Sequence, residues 1–297
     1  MRTRHKLLLL CSILGLSRCS FDLDRQWTLP QTLEDICSPT ADAHTLALFR
    51  FRGASSTLNN EVAQGVEGML MGSEASRVGG PHEGCGGALK FPTQPTFETC
   101  ESCTHPGGTT SCVTSYGVLP GGLGTTLRSG CIDFWVYLDD DFMDLQGILG
   151  RDAMEREEEG HLSVRIMSTG GIGVRLQNQV PLGAAQDEIP HICSPPISRQ
   201  TWHHVGINFG VGGLELTVDG IPHATVDPIE GSSHTCHPSG SSERGLTGND
   251  EPWILGATAD SSCVDSVSPP RAPLHGRLAN LRISSIRRDF SSLALSR

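Results

Sequence analysis

Three kinds of residue in this 297-residue chain could do chemistry by type and spacing: clustered acids, paired histidines and cysteines. The acids fall in two runs, Asp139-Asp140-Asp141 with Asp144, and Glu155 with Glu157, Glu158 and Glu159. Carboxylates gathered on a loop are hard oxygen ligands. Asp139, Asp140, Asp141 and Asp144 are therefore weak candidates for a structural calcium, and no other cofactor is expected. Their spacing matches no defined calcium loop, and both runs sit beside turn residues, which favours solvated loop acids over a catalytic pair. His203 and His204 are neighbours in an alternating segment, so they point to opposite faces and cannot easily hold one ion. His234-Thr235-Cys236-His237, and Cys100-Glu101-Ser102-Cys103 with His105 and Cys112, have spacings that zinc could use. Serine and histidine are plentiful, but no Gly-x-Ser-x-Gly elbow occurs, so no nucleophile or other catalytic residue is assigned.

The ends of the chain decide which of these readings is chemically reasonable. Arg2, Arg4 and Lys6 precede the apolar run Leu7 to Leu16, which breaks into Ser17-Arg18-Cys19-Ser20. A basic head, a short apolar stretch and a small-residue region make an export signal over residues 1–18. The run is too short to span a bilayer, which needs about 20 apolar residues, and no later segment comes close. Leu16-Ser17-Arg18-Cys19 resembles the bacterial lipoprotein box, although Arg18 departs from it because the position before the cysteine is normally small. Cys19 is thus a lipidation candidate, and an outer-membrane-anchored chain stands beside a plainly secreted one. Without Arg2, Arg4, Lys6 and Arg18, 33 acids face 18 bases, a net charge of about −15 with histidine neutral. That balance argues against nucleic acid, whose affinity rests on neutralising phosphates. The arginines after Arg271, scattered along a strand pattern, read as a solvated face.

Export favours disulfides over zinc for the sulfur, because thiols oxidise outside the cytosol. Nine cysteines follow Cys19: Cys37, Cys85, Cys100, Cys103, Cys112, Cys131, Cys193, Cys236 and Cys263. All nine are disulfide candidates, yet nine is odd, so an acylated Cys19 leaves one thiol over and an unmodified Cys19 could complete a fifth bridge. Sequence does not fix the pairing. The expectations are that Cys100 and Cys103 do not bond to each other, that the stretch from Cys85 to Cys131 is stapled by sulfur, and that Cys193 meets Cys236. A redox role for Cys100 and Cys103 lacks the surrounding βαβ pattern.

The elements that must position these groups are strands. Ile132, Phe134, Val136 and Leu138 share one face, with Asp133, Trp135 and Tyr137 on the other. Leu162, Val164 and Ile166, and then Val174 and Leu176, repeat the pattern. Thr201-Trp202-His203-His204-Val205-Gly206-Ile207-Asn208-Phe209 and Leu214-Glu215-Leu216-Thr217-Val218-Asp219-Gly220, joined by Gly210 to Gly213, read as an antiparallel hairpin. No segment keeps a helical period over eleven residues. Many short strands with glycine-rich turns argue a two-sheet sandwich in one body.

The ordered set Leu46 to Phe51, Gly84 to Phe91, Trp202-His203-His204-Val205, Val218-Asp219-Gly220 and Gly276 to Ile283 resembles the laminin G-like jelly rolls of the concanavalin A-like lectin and glucanase class. The resemblance covers roughly residues 43–290. It implies an all-β, two-sheet antiparallel jelly-roll sandwich, concanavalin A/laminin G-like, with a Cys-rich loop insertion at about 92–130. Residues 19–42 then form a tether and 291–297 a tail. It also assigns His203 and His204 to the scaffold, along with Trp135, Trp202 and Trp253.

Glucanases of that class carry a Glu-x-Asp-x-x-Glu strand with carboxylates about 5 Å apart. The motif is absent from this chain. The expectation is a non-catalytic binding or adhesion module at the cell envelope or outside the cell, with a glycan or an envelope or extracellular protein as partner. A diverged glycan hydrolase and a purely structural envelope lipoprotein are the rival readings. Scaffolds of this kind host unrelated functions, so the ligand stays open.

Overall fold

A computed structural model describes residues 29–62, 65–82, 85–101, 109–140, 145–151, 160–177, 191–223, 245–259 and 270–295. Two eight-stranded antiparallel sheets make the body. The first sheet runs Ile221–His223, Glu215–Val218, Trp202–Phe209, Gly130–Leu138, Gly276–Ser284, Gly87–Lys90, Ser76–Gly79, with Thr45–Phe49 also paired to Gly276–Ser284. The second runs His191–Pro196, Gly171–Gln177, His161–Ile166, Gln146–Arg151, Trp253–Leu255, Tyr116–Leu119, Gly68–Met71, Thr57–Leu58. One apolar cluster joins them. Ile132, Phe134, Val136, Val205 and Ile207 of the first sheet meet Leu162, Val164, Ile172, Val174 and Trp253 of the second. These are the residues that alternate in sequence, so the core face was set by the period-two pattern and the fold is a β-sandwich.

The expected hairpin forms. Trp202–Phe209 pairs antiparallel with Glu215–Val218 in the register Val205 to Val218 and Ile207 to Leu216. A second hairpin follows at once, because Asp219 (φ 52°) and Gly220 (φ 78°) make a two-residue turn back into Ile221–His223. Two successive positive φ values match the right-handed twist of the paired strands, and an Asp-Gly dipeptide tolerates them.

Four sequence expectations need correcting. Residues 29–42 are no free tether in their described part: Leu29–Pro30 pairs parallel with Arg288–Asp289, and Leu33–Cys37 forms a short helix. Thr32 caps that helix reciprocally, its hydroxyl accepting from the Asp35 amide while Asp35 Oδ2 accepts from the Thr32 amide at 2.8 Å. The tail is likewise packed, as a 3-10 turn at Ser291–Leu295 with Leu293 buried. Third, the stretch 92–130 is more than loop. Tyr116–Leu119 is an interior strand of the second sheet between Trp253–Leu255 and Gly68–Met71, and Phe97–Glu101 pairs with Thr109–Val113. The sulfur is the fourth. Cys85 bonds Cys37 across 48 residues rather than stapling the Cys-rich stretch, and Cys131 is a free, buried thiol that lies on a sheet strand. Cys112 and Cys193 are disulfide-bonded. Cys19, Cys103, Cys236 and Cys263 lie outside the described residues, as does the side chain of Cys100.

The N- and C-terminal segments cover the outer face of the first sheet and bury what alternation alone would leave wet. Ile36, Phe290 and Leu293 pack there on Trp135, Ala279, Ala88 and Cys131. Gly206 makes this approach feasible, since a Cβ built on it would lie 2.3 Å from the Phe290 ring. Asn280 sits in a bulge of the Gly276–Ser284 strand with φ 50°, and the extra residue turns its amide outward to donate to the carbonyls of Cys37 at 2.7 Å and Ile36 at 3.3 Å. The bulge thereby caps the helix that crosses it.

Candidate binding cleft

Beneath those two segments lies a buried charge network. Asp133 faces outward on the Gly130–Leu138 strand and accepts from Arg282 Nε at 2.9 Å and Nη2 at 3.1 Å. Arg282 also donates to Gln31 Oε1 at 2.7 Å, and Arg288 donates to Asp42 Oδ2 at 2.9 Å and Ser284 Oγ at 2.8 Å. Burial by itself pushes the Asp133 carboxyl up, but Arg282 and then His204 outweigh it and hold the group below the usual carboxylate range. The sequence places these arginines on a solvated face; instead Arg282 and Arg288 are each 2% exposed. They clamp the terminal segments, so a pattern that looked solvent-facing is an interior.

Beside the network opens a cleft of about 440 Å³. Its walls are Leu33 and Ile36 of the short helix, Leu293 of the C-terminal turn, and Trp135 and Trp202 of neighbouring strands. Trp135 is fixed: its indole N–H donates to the Ile36 carbonyl at 3.0 Å, and its ring meets His82 and His204 edge-on. Trp202 is only partly buried, with its ring 5.4 Å from that of Tyr137. The resemblance gives both indoles to the scaffold, yet Trp202 presents surface to the cleft.

The two adjacent histidines have separate surroundings, as strand geometry requires. His203 Nδ1 lies 2.7 Å from Asp219 Oδ2, and its Nε2 lies 2.9 Å from Ser198 Oγ and 3.0 Å from the Ser198 carbonyl. Asp219 Oδ1 accepts from the His204 amide at 2.9 Å. The order Ser198, His203, Asp219 is that of a hydrolytic triad, which the sequence alone did not single out. The Asp219 carboxylate can only accept, so Nδ1 carries a hydrogen, while Nε2 faces both the hydroxyl and the carbonyl of Ser198. The arrangement ties the 198 loop and the 219 turn to the strand.

His204 is different. It is 1% exposed and wedged between Trp135 and Phe290, with ring centroids 5.4 and 4.8 Å away. Its Nε2 stands 3.5 Å from Asp133 Oδ1, too long for a good hydrogen bond. Among the described residues neither ring nitrogen has a hydrogen-bond partner, and the ring lines the cleft.

The calcium candidates do not add to this site. Asp139 lies 3.9 Å from Arg277, Asp140 accepts from the Gln200 side-chain amide, and Asp141 and Asp144 fall outside the described residues, as do Glu155 and Glu157 to Glu159. Among the described residues no group of three or more His, Cys, Asp or Glu could hold a metal ion, and no helix is long and apolar enough to cross a membrane.

Compared with known proteins, the chain matches no family model and no curated protein. Among solved structures it is similar to Trypanosoma rangeli sialidase in complex with sialic acid, with a TM-score of 0.49 and 16% identity over 88% of this chain and 35% of that one. It is also similar to a Ruminococcus gnavus IT-sialidase CBM40 bound to alpha2,3 sialyllactose, with a TM-score of 0.39 and 16% identity over 58% of this chain and 83% of that one. The chain spans about a third of the length of the sialidases it matches.

Proposed function

We propose that the chain is an exported, non-catalytic binding or adhesion module on a jelly-roll sandwich of the concanavalin A/laminin G-like kind, and that the cleft is its ligand site. One observation carries the reading: a concave, largely apolar space is walled by the partly buried Trp202 and rimmed by the exposed hydroxyls of Ser198 and Thr201. Ligand sites combine these two properties, apolar walls and a few placed polar groups. The rival hydrolase needs a free acid and base. Asp219 is engaged by His203 and the His204 amide, and Asp133 by Arg282, so neither carboxylate of this region is available. Anchoring through Cys19 at the outer membrane belongs to the same proposal, with a secreted chain as its alternative.

The test is a glycan array and an envelope-protein pull-down with the mature chain, run beside a reducing-end assay on the glycans that are retained. Retention without turnover is expected. Reproducible release of reducing ends, or covalent labelling of Ser198 by a fluorophosphonate, would overturn the non-catalytic reading.

A further inference from the structure

We infer that the cleft takes an uncharged hydroxylated ring, the end residue of a neutral saccharide, an inference that rests on the binding-module reading. Charge is the first argument. The carboxylate lining the cleft, Asp219, has both oxygens engaged, one by the His203 ring and the other by the His204 amide. The carboxylate behind it, Asp133, is matched by Arg282. Among the described residues that line the space there is no lysine or arginine. An ionic ligand would lose its hydration and find no counter-charge, a large cost, whereas a hydroxylated ring loses only what hydrogen bonds can restore.

Shape and partner chemistry are the second. The half-buried Trp202 offers an indole whose negative face suits the C–H face of a pyranose. Ser198 and Thr201, both exposed, supply hydroxyls at the rim that donate and accept. Behind the indoles the buried His204 ring packs between Trp135 and Phe290 and fixes the floor of the space. A volume of about 440 Å³ is at the small end of ligand sites, about 300 to 1,000 Å³, and suits a chain end rather than a polymer laid along a groove.

The experiment is a titration of the mature, oxidised chain, read by tryptophan fluorescence and calorimetry. Glucose, galactose, mannose and N-acetylglucosamine form one arm; glucuronic acid, N-acetylneuraminic acid and glucosamine form the other. Saturable binding of at least one neutral sugar is expected, unchanged between low and high salt and weakened tenfold or more by Trp202→Ala. Trp202→Phe, which keeps a ring at that position, should retain most of the affinity and guards against a folding defect in the alanine variant. Tighter, salt-sensitive binding of a charged sugar that still depends on Trp202 overturns the ligand class and leaves the binding module standing. Array binding that survives Trp202→Ala overturns the cleft as the site. Silence in both the titration and the array sinks the binding-module reading itself.

Discussion

Replacing Cys37 and Cys85 together by alanine is the sharpest test of how the cleft is built. The bridge spans 48 residues of sequence, and the chain-entropy relation with n near 48 gives about 14 cal/mol/K, or about 4 kcal/mol at 25 °C. Cys85 is fully buried, so losing its sulfur adds a cavity term on the order of 1 kcal/mol. A total of about 5 kcal/mol is large beside the roughly 5 to 15 kcal/mol by which domains are stable. Urea unfolding followed by circular dichroism and tryptophan fluorescence, with the other cysteines left oxidised, reads the change as a lower midpoint at constant slope. Hydrogen exchange at residues 31–37 gives a second readout, since Leu33 and Ile36 form a wall of the cleft. A loss under about 1 kcal/mol with unchanged exchange there would refute the reasoning and show that Gln31, Arg282 and Asn280 hold the segment unaided.

Gly206→Ala should destabilise by about 1 to 3 kcal/mol and loosen the C-terminal turn, because its Cβ would collide with Phe290; differential scanning calorimetry checks this. Asp133→Asn and Arg282→Met should each cost about 3 to 5 kcal/mol by leaving a buried charge or its partner unmatched, and a double-mutant cycle should show the pair recovering part of that loss in combination. Asp42 is held at about 2: burial raises its carboxyl, but Arg288, Thr45 and the His44 amide outweigh burial. With an ordinary carboxylate near 3.9, its contribution is complete above that pH and disappears as the pH falls through about 2, so Asp42→Asn should flatten this part of an acid-unfolding curve. Burial, followed by the charge of Asp133, pushes the Cys131 thiol up, so it should resist iodoacetamide at neutral pH in the folded chain and react once urea unfolds it.

The inner half of each strand was legible. Ile132 to Leu138 and Leu162 to Ile166 alternate because one face meets the other sheet, and Val205 and Val218 pair where the hairpin pattern put them. The outer half of the first sheet was not. Asp133, His204, Asn208 and Arg282 have the polarity of a wet surface, and only segments from elsewhere in the chain, around Gln31 and Phe290, bury them. Alternation reports the near side of a sheet and is silent on what crosses the far side. For the site, Asp219-Gly220 was a turn signal that could have placed the carboxylate. No local pattern ties Ser198 to His203, or tells that Trp202 is half-uncovered while Trp135 is closed. That Cys131 carries no bridge was not legible, since it depends on which thiols meet in space.

The clamp on the outer face also constrains the order in which the chain can fold. Gly276–Ser284 lies in the middle of the first sheet, hydrogen-bonded to Gly130–Leu138 on one side and to Gly87–Lys90 and Thr45–Phe49 on the other, yet it follows every other strand of that sheet in sequence. Gln31 reaches Arg282 over 251 positions and Asn280 reaches Cys37 over 243. Contacts of such separation are slow to form, and none exists while a nascent chain still lacks the Gly276–Ser284 strand. The cleft therefore cannot assemble before Gly276–Ser284 and the Ser291–Leu295 turn have been made, and a truncation just before residue 276 would disrupt a sheet most of whose strands are still encoded.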